Sequence, residues 1–135
     1  MNDKEKQLRK IFEQIEKLNN GKNDNKIIKL CDDGLKIDSK NSILYFHKCN
    51  SLYQLALYNK DSNKYLEAIK YCNIALNIES RDKNKVINYI RGLCYFYLAL
   101  NENNNAEYLN KAIENFNHAI IFLKEFEKKQ KLKVK

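Results

Sequence analysis

One segment of this chain occurs three times. Ile27-Ile28-Lys29-Leu30-Cys31-Asp32-Asp33-Gly34-Leu35-Lys36-Ile37 returns 41 residues later as Ala68-Ile69-Lys70-Tyr71-Cys72-Asn73-Ile74-Ala75-Leu76-Asn77-Ile78. A further 44 residues on it returns as Ala112-Ile113-Glu114-Asn115-Phe116-Asn117-His118-Ala119-Ile120-Ile121-Phe122. The flanks follow: Leu55-Ala56-Leu57 aligns with Leu98-Ala99-Leu100, and Tyr65-Leu66 with Tyr108-Leu109. A period of this length belongs to stacked supersecondary units, each too small to bury its own apolar face alone.

Within each copy the apolar residues recur at helical spacing. A leading segment carries Leu8, Ile11, Phe12, Ile15 and Leu18 in the first copy. The second has Tyr45, Phe46, Cys49, Leu52, Tyr53 and Ala56, and the third Tyr89, Gly92, Leu93, Tyr95, Phe96 and Ala99. The trailing segments are the repeated stretches. Polar clusters at 19–26, 59–64 and 101–107 part leading from trailing segments, while Asp38-Ser39 and Ser80-Arg81-Asp82 are expected to stop helices and cap the next ones. Six helices are predicted, at about 4–19, 25–37, 41–58, 62–79, 84–101 and 105–129. The fold class is all-α. Gly34, Ala75 and Ala119, with Ala68 and Ala112 and with Cys49 and Gly92, are the small residues expected where helices touch.

Composition excludes several alternatives. There is no proline and only three glycines in 135 residues, too little punctuation for a sandwich or barrel and no material for a glycine-rich phosphate loop. No apolar run approaches the roughly 20 residues that span a bilayer, and the polar start, Met1 to Lys6, has no signal-peptide core. Cys31, Cys49, Cys72 and Cys94 lack any close C-x-x-C pair, and His47 and His118 are not paired, so no metal site and no cofactor is expected. Each cysteine lies in an apolar-periodic segment and reads as a buried free thiol. That implies a reducing compartment, hence a cytoplasmic location.

At this point the pattern resembles tetratricopeptide (TPR) repeats, over about residues 5–125. Tyr45, Cys49 and Leu52 match the aromatic, small and large positions of the family's first helix, as do Gly92 and Tyr95 in the next copy. Ala68, Cys72 and Ala75 match its second helix, as do Ala112, Phe116 and Ala119. Ile15, Ile27 and Gly34 fill the small positions of the first copy. The chain departs from the pattern in several places. Asn88 stands where a leading aromatic belongs, and Ser39, Ser80 and Lys124 replace the closing proline. The second and third copies are seven or eight residues longer than the usual 34. The resemblance implies an α-solenoid of three antiparallel helix hairpins, a right-handed superhelix spanning 1–123 with repeats at about 5–40, 41–82 and 83–123. Residues 124–135 are then the basic end of the last helix. The alternatives are another α-solenoid and a six-helix bundle.

The resemblance further implies a concave groove, lined by the first helix of each repeat, that holds a peptide or helix of a partner protein. Carried onto this chain, Phe12, Glu13 and Glu16 line it from the first copy. Ile43, Phe46, His47, Asn50 and Tyr53 do so from the second, and Val86, Tyr89, Ile90, Leu93, Phe96 and Tyr97 from the third. The binding set is Phe12, Phe46, His47, Asn50, Tyr53, Tyr89, Leu93 and Tyr97. The Asn50 amide suits a peptide backbone because it both donates and accepts, and the aromatics suit stiff apolar anchors. The carboxylate clamp by which some family members hold acidic chaperone tails is broken here: Phe12 and Glu16 stand at its first Lys and Asn positions, and His47 at its later Asn. An apolar peptide or helix is therefore the expected ligand.

The expected function is that of a non-enzymatic interaction module, a scaffold or adaptor with no small-molecule substrate. Asp32 and Asp33 are helix neighbours that point apart, and no nucleophile motif accompanies His47, so no catalytic residue is assigned. The competing reading is a nucleic-acid or anionic-membrane binder. It rests on the net charge of +8, half of it in 124–135, where six lysines meet two glutamates. It is disfavoured, since no nucleic-acid motif accompanies the charge. A last feature is the apolar stripe Ile113, Phe116, Ile120, Leu123 and Phe126 running to the end of the final helix. With no polar capping helix after it, this stripe is expected to promote self-association, unless Leu132 and Val134 extend the helix and the lysines keep it soluble.

Overall fold

A computed structural model describes residues 1–18, 21–78 and 85–134, with the side chains of 122, 123, 125, 126 and 132–134 excepted. The described residues form six α-helices and no strand: α1 (Asp3–Lys17), α2 (Asp24–Ile37), α3 (Ser42–Asn59), α4 (Ser62–Ile78), α5 (Lys85–Asn101) and α6 (Ala106–Val134). The starts of α1, α3, α4 and α6 are set by side chains that accept the orphan N–H groups of a first turn. Asn2 accepts from Glu5 N at 2.8 Å, Asn41 from Leu44 N at 3.1 Å, Asp61 from Asn63 N at 3.0 Å and Asn105 from Glu107 N at 3.0 Å. The cap of α3 is thus Asn41; Asp38 instead closes α2, its N–H bonded to Gly34 O at 2.9 Å. The expected stop at Ser80-Arg81-Asp82 lies outside the described residues. Lys60, Asn103 and Asn104 take the left-handed conformation (φ 53°, 56° and 60°) that turns the chain without glycine.

Each helix packs on its neighbours in the chain, and α3 also touches α5. The pairings run antiparallel. Along α3 and α4, Tyr45 stacks on Tyr71 at 6.2 Å and Tyr53 meets Tyr65 at 6.3 Å. Along α5 and α6, Tyr89 meets Phe116 at 5.9 Å and Tyr95 stacks on Tyr108 at 5.9 Å. Two buried clusters result. Ile11, Ile15, Ile27, Cys31 and Leu44 form the first; the second runs from Cys49 through Tyr65 and Cys72 to Leu98.

The small residues singled out by the repeat are all buried. At Gly34 a methyl would meet Leu44 Cδ1 at 2.7 Å, and at Gly92 it would meet the Phe116 ring at 2.8 Å. These are close approaches that a larger residue would hold apart. All four cysteines are buried free thiols. Burial, the Asp32 charge and Cys49 push Cys31 up to about 12 against the pull of Lys48.

Candidate partner-binding face

Of the leading helices, α3 and α5 touch one another, and Ile11 and Ile15 of α1 share a buried cluster with Leu44 of α3. Tyr97 on α5 is 6.4 Å from Tyr53 on α3, and Glu16 on α1 is near enough to act on His47 of α3. Residues three and four apart share one face of a helix. That spacing puts Ile43, Phe46, His47 and Asn50 on one side of α3. Val86, Tyr89, Leu93, Phe96 and Tyr97 share one side of α5.

This face is apolar and partly open. Ile43, Val86 and Tyr89 are each at least half exposed (53%, 58% and 50%), and Phe96 is exposed beside them. Phe46, Leu93 and Tyr97 are half-buried against the central cluster, and Phe12 against the first. Phe46 sets its ring edge-on to His47 at 5.2 Å. Burial lowers the His47 pKa, favouring the neutral imidazole, with Glu16 pulling weakly the other way. Asn50 is half-buried and its side chain makes no hydrogen bond within the chain among the described residues, so its donors and acceptor remain available.

The expected binding residues divide into two groups. Phe46, His47 and Asn50 come together within one turn of α3, and Tyr89, Leu93 and Tyr97 line α5. Tyr53 and Ile90 do not belong to the surface: both are buried (7% and 5%). Tyr53 lies among Tyr65 and Tyr97, and Tyr97 stacks on Tyr65 at 5.8 Å. Tyr53 therefore braces Tyr97 from behind. Burial and the surrounding phenols and Cys94 raise the Tyr53 pKa, keeping its hydroxyl protonated.

Sequence reasoning missed a polar feature that repeats with the fold. Lys48 of α3 reaches back to Asp32 of α2 at 2.6 Å and sits 3.9 Å over the Tyr71 ring of α4. Burial alone would lower its pKa, but Asp32 and Tyr71 outweigh that and raise it. Arg91 of α5 stands one repeat on. It reaches back to Asn73 of α4 at 2.8 Å and forward to Asn115 of α6 at 2.7 Å. The repeat displacements carry Asp32 onto Asn73 and Tyr71 onto Asn115. One cation per junction thus ties a leading helix to the trailing helices on both sides. The signal was present in the self-alignment, where Lys48 and Arg91 each precede a small residue, Cys49 and Gly92.

Elsewhere, a cleft of about 460 Å³ between α1 and α2 is lined by Leu18 and Leu30 with Lys17, Lys26 and Lys29 among others; it contains none of the expected binding residues. Among the described residues no three His, Cys, Asp or Glu side chains converge as a metal site requires, and no helix is long and apolar enough to cross a membrane. Comparison of the chain with models of known protein families, with curated proteins and with solved structures finds no match.

Proposed function

We propose that this chain is a small TPR-like solenoid of three helix hairpins that binds an apolar peptide or amphipathic helix of a partner protein along α1, α3 and α5. The observation that carries this reading is the row of solvent-facing apolar side chains on α3 and α5, Ile43, Val86, Tyr89 and Phe96, next to the unpaired Asn50 amide. Exposed apolar residues in a contiguous patch mark interaction surfaces, and a polar group with spare hydrogen-bonding capacity among them suits main-chain recognition. The serial packing of the helices, the buried small residues and the repeated cation clamp support the solenoid. In this reading the protein is non-enzymatic and works in the cytoplasm as a scaffold or adaptor. The basic end of α6 plays no part in holding the ligand.

The test uses a helical peptide selected from a library against the folded chain. Its binding is expected to shift backbone resonances in 43–50 and 86–97, and to fall at least about tenfold in a Tyr89→Ser/Phe96→Ser variant with unchanged helicity. Resonance shifts confined to residues 106–131, or undiminished binding by the folded variant, would overturn the groove. A ligand held by charge alone would show itself by a steep loss of affinity with salt, about 0.7 decades per decade for each single-stranded phosphate contacted, and by dependence on 124–135.

A further inference from the structure

The junction clamp points to something about the last helix. On α2 the acceptor Asp32 lies between Ile28 and Leu35, and on α4 Asn73 lies between Ile69 and Leu76. Each of these faces is covered by the next leading helix, which brings the cation: Lys48 from α3, Arg91 from α5. The same displacement places Ile113, Asn117 and Ile120 on α6. There the face is bare. Ile69 is 6% exposed, but its counterpart Ile113 is 57% exposed, with Ile120 at 46% and Ile121 at 58%. The Asn117 side chain is exposed, as is that of Asn73, but unlike it makes no hydrogen bond among the described residues. Phe116, expected on this stripe, turns instead toward α5, against Tyr89 and Gly92. Leu123 and Phe126 lie outside the described side chains.

Two features of the chain select the occupant. The exposed residues of α1 are all polar, Lys10, Gln14 and Lys17 among them, so a second copy stacked head to tail would set isoleucines against polar side chains. But α6 is complementary to itself when antiparallel, the sense in which α3 covers α2 and α5 covers α4. About an axis between residues 120 and 121, position 117 of one helix faces 124 of the other, and 124 carries an exposed lysine. The stretch 106–120 carries Glu107 and Glu114 against one lysine, Lys111, and the stretch 121–134 carries five lysines against two glutamates, Glu125 and Glu127. Antiparallel pairing therefore sets a net negative stretch against a net positive one at both ends.

We propose that two copies of this chain associate through α6, antiparallel about a two-fold axis between Ile120 and Ile121, with Lys124 of each copy donating to the Asn117 oxygen of the other. The four central isoleucines become mutually buried, and the lysine takes the part that Lys48 and Arg91 play inside the chain. The interface is isologous and closes on itself, giving a dimer and not a filament. It is narrow and so forms reversibly, with a population that depends on concentration. It uses the exposed face of α6, a helix outside the α1–α3–α5 set, and does not rest on that reading.

Sedimentation velocity of the full chain, from low micromolar to about 1 mM, tests this. A concentration-dependent dimer is expected. Ile120→Glu should weaken it at least about tenfold, while circular dichroism reports intact helix. Lys124→Met should weaken it, whereas Lys129→Met should not. An Ile121→Cys variant, close to the axis, should cross-link as a dimer under mild oxidation. A chain that stays monomeric throughout, or a dimer indifferent to both Ile120→Glu and Lys124→Met, would overturn the proposal. So would a monomer that instead sediments with vesicles of anionic phospholipid and loses that binding on Ile120→Glu, which would give the face to a membrane surface.

Discussion

The two buried clusters are built differently. The first has five buried members, four of them aliphatic, and is joined to the rest of the molecule by Leu44 of α3, which seats against Gly34 of α2. The second spans α3, α4 and α5, with two buried tyrosines, three of the four thiols and several alanines. It draws on three helices, and its rings interlock: Tyr65 is within 6.3 Å of Tyr53 and 5.8 Å of Tyr97. Local stability follows the density of buried contacts. On that basis α3–α5 are expected to open last, while α1, which carries Phe12 and Glu16, and α2 are expected to open at lower cost.

The largest expected effect breaks the central cluster. Tyr65 is 2% exposed and central to the ring network, and Tyr65→Ala is expected to destabilise the whole chain by about 3–5 kcal/mol, read from urea unfolding. A loss below about 1 kcal/mol would refute the central role given to this ring. Next comes Leu44→Ala, which should cost about 3 kcal/mol. Hydrogen exchange should quicken in α1 and α2 while α4 and α5 stay protected. Equal quickening in all helices would dissolve the distinction between the two regions.

The glycines sharpen the same contrast. Alanine in place of helical glycine gains about 1 kcal/mol of helix propensity, before packing is counted. At Gly34 the obstacle is the tip of the Leu44 side chain. At Gly92 it is the rigid Phe116 ring at 2.8 and 2.9 Å, with Asn115 Cβ at 3.1 Å. Gly92→Ala should therefore lower stability by about 1–3 kcal/mol, and Gly34→Ala by less. The reverse order of melting temperatures would show that the α5–α6 contact yields more readily than the contact between α2 and α3.

The smallest effect concerns Asp24, buried at the start of α2. Its Oδ2 accepts from Gly21 N at 2.8 Å, but its Oδ1 has no hydrogen-bond partner, and neither has the buried Ser51 Oγ of α3. Burial raises the Asp24 pKa above 3.8, opposed by Ser51 and the Gly21 N–H. The folded chain thus keeps this proton to higher pH than the unfolded chain. Its contribution is full below pH 3.8 and falls as pH rises through the raised value, leaving a deficit at neutrality. Asp24→Asn removes that fall and offers an N–H to Ser51. It should raise stability at pH 7 by up to about 1 kcal/mol and flatten the decline above pH 4. An unchanged pH profile of the urea midpoint would count against the buried charge.

Much of the architecture was legible because the repeat and the helical period are local properties of the chain. The boundaries expected for α2 and α3, the start of α4 and the end of α5 lie within a residue of those observed, while α6 runs five residues past the expected 129, to Val134; the end expected for α4 and the start expected for α5 lie outside the described residues. The small residues were legible as contact points because only they let backbones approach. The candidate face was legible in part. Helical spacing put Phe46, His47 and Asn50 together, yet it treated Tyr53 and Ile90 as equivalent to Tyr89 and Phe96. Periodicity says which residues share a side of a helix, but not how far the neighbouring helix covers that side.

By itself, then, the sequence determined the helices, their order and the positions where they touch, since these follow from side-chain size and spacing along one strand of chain. Only the tertiary structure decided which aromatics are covered, that Lys48 and Arg91 span neighbouring helices, and that the stripe on α6 is left bare. The physical reason is that burial and hydrogen-bond partnership depend on residues distant in the chain, and their distances exist only once the helices are packed.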